Sequence, residues 1–218
     1  YMPWDASYLK VGYFNKKGDI KQKEILDINL SMHKNLNSIF QPIWLNNQEI
    51  LVVSDINGWW NLVKVNIEHS YKGNLKFSIT FSVESELGLP QWVSGMSTLY
   101  VIEDQIFYLA CEQATWKLYI LQSDGISKHI DIPFDNLSDL KGYKNKIVAI
   151  ASNSYCEPGL LEIDIKNSTY SYQSPRKISF QKNKLSTGEP FYFKGYNGQI
   201  THSWCYRRLK VNHKYGPL

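Results

Sequence analysis

Long hydrophobic runs are missing from this 218-residue sequence. Its apolar stretches, such as residues 51–53 and 147–151, have the length of β-strands, whereas a membrane-spanning helix needs about 20 consecutive apolar residues. Residues 1–5 also lack the basic and apolar segments with which a secretory signal begins. We therefore expect a folded, soluble domain that does not insert into a membrane.

Cysteine is scarce as well. Cys111, Cys156 and Cys205 lie far apart and form no C-x-x-C pair, and their odd number leaves at least one thiol unpaired. This excludes a disulfide-stapled miniprotein and favours a reducing compartment, because structural disulfides persist mainly in oxidising ones. We predict a cytoplasmic location.

Histidines are few and isolated. None stands in the H-x-H or H-x-x-x-H spacing that places two imidazoles on one metal ion. We expect surface or hairpin-end histidines, and neither a metal site nor another cofactor. The five are His33, His69, His129, His202 and His213.

A dense stripe of positive charge is also missing. The sequence has 24 Lys and Arg against 20 Asp and Glu, a net charge of +4. Nucleic-acid-binding proteins carry denser basic patches, because phosphate contacts dominate their affinity. We predict no nucleic-acid partner. The one short basic cluster is Arg207, Arg208, Lys210 and Lys214.

Aromatic residues, in contrast, are abundant, with 15 Tyr, 9 Phe and 7 Trp. This bias suits pleated, half-buried strands. Short apolar or alternating runs are separated by Gly, Asn, Asp and Ser, and sustained helical periodicity is almost absent. The pattern predicts an all-β chain. The predicted strands are residues 8–14, 50–54, 60–67, 75–83, 98–102, 105–111, 116–122, 146–152, 159–165, 190–194 and 200–206.

The predicted strands recur in units of similar length. Leu62, Leu118 and Leu161 take matching places and lie 56 and 43 residues apart, and Trp44 lies 48 residues before Trp92. Propeller blades, which are four-stranded antiparallel meanders, repeat about every 40–50 residues. We predict an all-β fold of β-propeller blades, about four of them in residues 1–185, that forms an incomplete propeller. A β-sandwich is the alternative, since its strands also recur regularly.

No catalytic constellation is recognisable in this sequence. The string nearest to a G-x-S-x-G nucleophile elbow, residues 95–99 around Ser97, lacks the second glycine. Glu84 and Glu86 share a face if they lie on a strand, but the paired carboxylates of glycosidases normally converge from distant segments. We therefore predict a solvated strand end there and no catalytic triad in the chain.

Other polar and aromatic residues have predicted structural roles. The Asp55 carboxylate precedes a glycine-containing turn and is predicted to accept N–H bonds across it. Trp59 and Trp60 project to opposite faces if both lie on a strand, so one packs between blades and the other faces solvent or the central channel of the ring. Contact of the second tryptophan with a peptide is the functional alternative. We expect Trp44 and Trp92 to pack between blades.

Four segments together resemble the propeller of the prolyl oligopeptidase family of serine peptidases, in its acylaminoacyl-peptidase and dipeptidyl-aminopeptidase-like branch. The likeness covers residues 1–165 well and 186–218 loosely. The segments are Met2-Pro3-Trp4-Asp5, Phe40-Gln41-Pro42-Ile43-Trp44, Ser54-Asp55-Ile56-Asn57-Gly58-Trp59-Trp60-Asn61-Leu62 and Leu89-Pro90-Gln91-Trp92-Val93-Ser94-Gly95-Met96. The residues within them that we assign to a structural motif are Trp4, Asp5, Trp44, Asp55, Gly58, Trp60, Asn61 and Trp92.

The resemblance implies a propeller that precedes an α/β-hydrolase domain. Residues 186–218 then form the hairpin that links the two, and residues 215–218 resemble the start of the first hydrolase strands. The chain would be the gating, substrate-selecting part of a serine peptidase that cleaves short peptides, without the catalytic domain. Its expected partners are that domain and peptide substrates.

An incomplete propeller has a further consequence and leaves alternatives open. A blade edge with unpaired N–H and C=O groups favours pairing with another chain, so we expect either a homo-oligomer or a rearranged last blade. The alternative functions are a stand-alone β-propeller that acts as a protein- or glycan-interaction module, and a carbohydrate-active propeller enzyme, for which a convergent acid pair is lacking. The sequence that follows Leu218 discriminates among them.

Overall fold

The computed structural model describes residues 2–20, 26–28, 37–67, 76–176 and 184–208. Within these ranges the chain is built from antiparallel β-strands. They are β1 (Leu9–Val11), β2 (Leu26–Ile28), β3 (Ile39–Trp44), β4 (Glu49–Ser54), β5 (Asn61–Asn66), β6 (Lys76–Phe81), β7 (Leu99–Ile102), β8 (Gln105–Glu112), β9 (Thr115–Leu121), β10 (Ser127–Ile130), β11 (Asn136–Tyr143), β12 (Lys146–Asn153), β13 (Cys156–Asp164), β14 (Thr169–Gln173), β15 (Gly188–Lys194) and β16 (Ile200–Tyr206).

Three sheets are four-stranded meanders, each with its strands in chain order: β3–β6, β7–β10 and β11–β14. We call them blades 1, 2 and 3. Two further sheets, β1–β2 and β15–β16, have two strands each. The predicted fold class, all-β propeller blades of four-stranded antiparallel meanders, is confirmed. The blades described here do not close a ring, as expected for an incomplete propeller, because closure takes about 4–8 blades.

The predicted division at residue 185, the number of about four blades, and the linking role of residues 186–218 stay predictions. Residues 209–218, with Lys210, Lys214 and His213, lie outside the described part of the chain, as do His33 and His69. The described part contains no helix that is long and apolar enough to cross a membrane.

The hydrophobic core consists of layers between successive sheets. One layer, with Val52 and Val63, lies on the side of blade 1 that faces β1. The next layer joins blades 1 and 2 and includes Leu51 and Tyr108. The third joins blades 2 and 3, and its buried residues are Phe107, Leu109, Leu118, Leu137, Leu140, Ile147, Ala149, Ala151, Leu161 and Ile163. Successive residues of a strand point to opposite faces, so each strand of a middle blade supplies two layers.

The predicted repeat is partly confirmed. Leu62, Leu118 and Leu161 lie on the third strand of blades 1, 2 and 3, and all three are buried. The matching of Trp44 with Trp92 is wrong, because Trp44 ends the first strand of blade 1, whereas Trp92 precedes the first strand of blade 2. The stretch from Trp44 to Trp92 includes the link between β6 and β7, and no segment within a blade corresponds to that link.

The sequence pattern did not predict the fourth strands of blades 2 and 3. Strand β10 reads Ser-Lys-His-Ile and β14 reads Thr-Tyr-Ser-Tyr-Gln, without an apolar run. First strands of neighbouring blades pack against one another, so the fourth strands lie on the outside of the stack. Their exposed position requires no apolar pattern.

The Gln41 side chain joins the first strands of blades 1 and 2. Gln41 lies in a β-bulge of β3, where the pairing with β4 shifts between Phe40 and Ile43, and has a φ of 53°. Its Nε2 donates to Thr98 Oγ1 at 2.8 Å, and its Oε1 accepts the N–H groups of Thr98 at 2.8 Å and Leu99 at 3.2 Å. The strained backbone thus directs an amide that satisfies groups on the next blade.

A similar bulge joins blades 2 and 3. The pairing of β11 with β12 shifts between Ser138 and Lys141, and Asp139 there has a φ of 54°. Here the Ser97 hydroxyl donates to the Leu140 carbonyl at 2.8 Å, and the Leu140 N–H donates to the Ser97 carbonyl at 2.9 Å. The adjacent residues Ser97 and Thr98 therefore bind blade 2 to both of its neighbours.

We predict that Gln41→Ala lowers the free energy of unfolding by about 2 kcal/mol, because it leaves polar groups of Thr98 and Leu99 without their partner. Urea unfolding followed by tryptophan fluorescence measures this loss. The matched control is Gln48→Ala, which changes an exposed glutamine in the β3–β4 turn and should alter stability by less than about 0.5 kcal/mol. Equal effects of the two variants would show that Gln41 does not join the blades.

Candidate functional site

Three of the four motif segments meet at one end of the blades. In an antiparallel blade the start of the first strand opposes the end of the second, and Ile39 accordingly pairs with Ser54. The β4–β5 turn therefore lies at the same end as the approaches to β3 and β7. We call this end the turn face, and define it by residues 2–7, 54–60 and 82–97. The Ser38 hydroxyl ties the first segment to blade 1, since it donates to the Pro3 carbonyl at 2.8 Å.

Two tryptophans from distant segments contact each other on the turn face. The ring centroids of Trp4 and Trp92 are 4.4 Å apart, with the planes tilted by 52°. Trp92 is 71% exposed, so the prediction that it packs between blades is wrong. It lies in the Pro-containing link between β6 and β7, and its exposed aromatic surface is available to a ligand.

Asp55 binds a different partner from the one expected. Its Oδ1 accepts the Ser38 N–H at 2.7 Å and the Asn37 Nδ2–H at 3.5 Å. Its own turn is closed instead by the backbone, since the Gly58 N–H donates to the Asp55 carbonyl at 2.9 Å. The prediction that the carboxylate bonds across its turn is therefore wrong. Asp55 holds the approach to β3, which places the residue 2–7 segment over the blade.

The turn after Asp55 requires glycine and presents a tryptophan. Gly58 has a φ of 89°, which a side chain rarely adopts. Asn57 supports the turn, with its Nδ2 donating to Ser82 Oγ at 2.9 Å and its Oδ1 accepting the Trp59 N–H at 3.4 Å. Trp59 is 38% exposed, so the turn adds a third tryptophan to the turn face.

Trp60, in contrast, packs inward. Its ring centroid lies 4.9 Å from that of Phe40, and a Cβ on Gly88 would come within 2.3 Å of both rings. Only glycine lets the link to blade 2 pass this close. Trp60 therefore packs inside the fold, whereas Trp59 lies at the surface.

Glu86 lies in the same link and bonds to backbone groups of both blades 1 and 2. Its Oε2 accepts the Trp60 N–H at 3.0 Å, and its carbonyl accepts the Cys111 N–H at 2.8 Å. Glu86 is half-buried and lies in an isolated bridge outside the named strands, so the predicted solvated strand end is wrong for this residue. Glu84 is exposed.

Asn61 holds the chain in place by hydrogen bonds where it leaves blade 1. It is fully buried, and its Nδ2 donates to the carbonyls of Val83 and Ser85, each at 3.2 Å, while its Oδ1 accepts the Val83 N–H at 2.6 Å. One amide therefore fixes the chain as it leaves β6 and starts toward Trp92.

The remaining motif residues differ in position. Asp5 is exposed and accepts the Met2 N–H at 3.0 Å, which closes the turn that carries Trp4. Trp44 lies at the opposite end of blade 1, beside the β3–β4 turn, and is 54% exposed. The prediction that Trp44 packs between blades is wrong, and Trp44 lies at the opposite end of blade 1 from the other motif residues.

Ser97 and Cys111, two nucleophilic residues near this end, are not exposed. The Ser97 hydroxyl is buried against the Leu140 carbonyl. Burial, and then the nearby Glu86 carboxylate, raise the pKa of the Cys111 thiol, which keeps it protonated at neutral pH. Among the described residues, no group of three or more His, Cys, Asp and Glu side chains could hold a metal ion.

Acidic residues dominate the charge of the turn face. Its three segments contain Asp5, Asp55, Glu84 and Glu86, and no Lys, Arg or His, although the chain as a whole has net charge +4. A neighbouring cation, Lys141 of β11, donates to the Gly95 carbonyl at 3.4 Å. Exposed tryptophans beside carboxylates suit ligands with apolar and cationic groups.

Solved structures of peptidases contain the same arrangement of blades. A puromycin-hydrolysing peptidase of Mycobacterium tuberculosis matches with a TM-score of 0.82 and 17% identity, over 94% of this chain and 30% of its own. The chain shares its propeller fold. Puromycin hydrolase matches with a TM-score of 0.74 and 18% identity, over 93% of this chain and 30% of its own. The predicted resemblance is confirmed at the level of fold.

Prolyl oligopeptidases also match. A variant of prolyl oligopeptidase B from Galerina marginata, bound to a 25mer macrocyclization substrate, has a TM-score of 0.70 and 9% identity, over 92% of this chain and 27% of its own. The chain thus spans about 30% of the length of these peptidases. No protein-family model and no curated protein matches it.

We predict that Asp55→Ala lowers the free energy of unfolding by about 1–3 kcal/mol, because the buried Ser38 N–H loses its acceptor. Asp55→Asn keeps an acceptor oxygen and should lose less. Thermal and urea unfolding measure both. Asp124→Ala is the control, since Asp124 also accepts a backbone N–H, from Ile126 at 2.9 Å, but in an exposed turn. A larger loss in the control than in Asp55→Ala would contradict the assigned role.

Proposed function

We propose that this chain is the gating, substrate-selecting propeller portion of a prolyl-oligopeptidase-like serine peptidase that cleaves short peptides. The observation that carries the proposal is the propeller likeness over 94% of this chain to a peptidase more than three times its length. In this role the chain supplies no bond-breaking group. It restricts which peptides reach an α/β-hydrolase domain of the same parent protein, and the site of action is the cytoplasm.

The aromatic residues of the β15–β16 hairpin support the proposal of a partner domain. Tyr192 and Trp204 lie on one face, where both rings contact His202 edge-on at centroid distances of 5.0 and 5.4 Å. Phe191 and Phe193 stack on the other face, and all four aromatic side chains are exposed. A two-stranded hairpin is marginally stable in water by itself. Apolar residues on both faces favour a ribbon that another part of the parent protein covers.

Reading the open reading frame beyond Leu218 tests this proposal. We expect a G-x-S-x-G elbow followed in order by an acid and a histidine, and hydrolysis of short peptidyl-nitroanilides by the longer protein. The 218-residue chain should show no hydrolysis. A stop codon directly after Leu218 would overturn the proposal and favour the stand-alone interaction module, which the exposed aromatic surfaces also suit.

Self-association through an uncovered blade forms a second part of the proposal. Both faces of the middle of β4 and β8 are buried, whereas β12 alternates between buried and exposed residues. Ile150 and Leu160 are paired on the outward face of blade 3 and are 38% and 46% exposed. Apolar residues on a blade face favour stacking, here with a second copy of the chain.

We predict that the chain self-associates and that Ile150→Lys combined with Leu160→Lys makes it monomeric, because the charged face no longer stacks. Light scattering during size-exclusion chromatography measures the mass. Ile126→Lys is the control, as Ile126 is similarly exposed but lies in the β9–β10 turn. A monodisperse monomer of the unmodified chain would count against this prediction.

A further inference from the structure

The turn face combines exposed tryptophans with carboxylates in a chain that is otherwise positively charged. We infer that it is a docking surface for peptides that carry both a cationic and an apolar or aromatic side chain. This inference names the substrate class for the proposed gating role and rests on that role for its biological meaning. The binding itself is a property of the 218-residue chain and is measured without the parent protein.

The aromatic component is fixed by contacts within the chain. Trp4 and Trp92 hold each other at 4.4 Å, while the Asp5 and Pro3 contacts fix the segment that carries Trp4. Trp92 nevertheless leaves 71% of its surface exposed. An anchored but exposed indole loses little conformational freedom when a ligand packs on it, and tryptophan is the aromatic residue that attracts cations best.

The acidic component selects the sign of the ligand. Glu84 and Asp5 are exposed, so their charges remain accessible, although Asp5 also accepts the Met2 N–H. Glu86 and Asp55 are half-buried and accept backbone N–H groups. The neighbouring Lys141 ammonium donates to the Gly95 carbonyl at 3.4 Å, close to the end of the third segment. A cationic side chain would therefore meet carboxylates on the turn face, and an anionic peptide would be repelled.

The opposite end of blade 1 lacks this combination of features. Trp44 is also exposed there, at 54%, and lines an open cavity of about 500 Å³ with Val11, Tyr13 and Ile67. It has no paired indole among the ring contacts of the described residues. Trp44 is therefore a matched control for the effect of losing an exposed tryptophan.

The test uses three blocked heptapeptides of the same length, each with two phenylalanines and one proline. They differ in two positions, which are lysine, glutamine or glutamate. Titration into the 218-residue chain is followed by calorimetry and tryptophan fluorescence. We expect the lysine peptide to bind at least about tenfold more tightly than the glutamate peptide, with the glutamine peptide between them, and its affinity to fall as salt is raised.

Variants identify the surface. Trp92→Ser should weaken lysine-peptide binding about tenfold, because it removes an aromatic anchor, and Trp92→Phe should restore part of the loss. Glu84→Gln with Asp5→Asn should reduce the preference for lysine over glutamine. Trp44→Ser should leave binding unchanged. Circular dichroism and thermal unfolding verify that each variant remains folded.

The inference is overturned by equal binding of the three peptides, by no binding, or by a Trp44→Ser effect as large as that of Trp92→Ser. These outcomes are independent of the gating proposal. A stop codon after Leu218 together with selective lysine-peptide binding would leave the docking surface standing on an interaction module. A hydrolase sequence together with unselective binding would leave the gating role without this specificity.

Discussion

The hydrogen bonds of the bulged first strands determine how the blades stack. In blade 1 the bulge turns the Gln41 amide toward Thr98 and Leu99, and in blade 3 the corresponding bulge brings the Leu140 backbone to Ser97. Each bulge holds a residue other than glycine at positive φ, a strain that interblade hydrogen bonds offset. The core layers and the position of the link that carries Trp92 follow from this arrangement.

Interblade packing also explains the sequence of the second strands. The apolar run Leu51-Val52-Val53 is needed because blade 1 is covered on both sides, by the β1 side and by blade 2. Strand β12 alternates because, within the described part of the chain, only its inner face meets another blade. An antiparallel strand that is buried on both faces thus has the continuous apolar pattern more typical of parallel sheets.

Much of this fold could be predicted from the sequence. The strands, turns and third-strand leucines follow from local patterns, since alternation and turn residues act over a few positions. The wrong predictions concern contacts between distant segments, such as those of Asp55 with Ser38, Glu86 with Trp60 and Trp92 with Trp4. Pro42 lies in β3 beside the bulge at Gln41, a position that suits it because proline in sheets is confined to edges and bulges. The partner of Gln41, Thr98, is 57 residues away, and no local sequence pattern predicts this contact.

The junction at Ser97 and Thr98 determines where the chain can vary in length. These neighbours bond to opposite blades, so one inserted or deleted residue between them would move the following side chains to the wrong face of β7. The preceding link is different, because residues 89–96 lie between blades in irregular structure and carry mostly surface side chains. Insertions and deletions are therefore best accommodated immediately before the junction, where they would reshape the turn face while leaving the stacked blades in register.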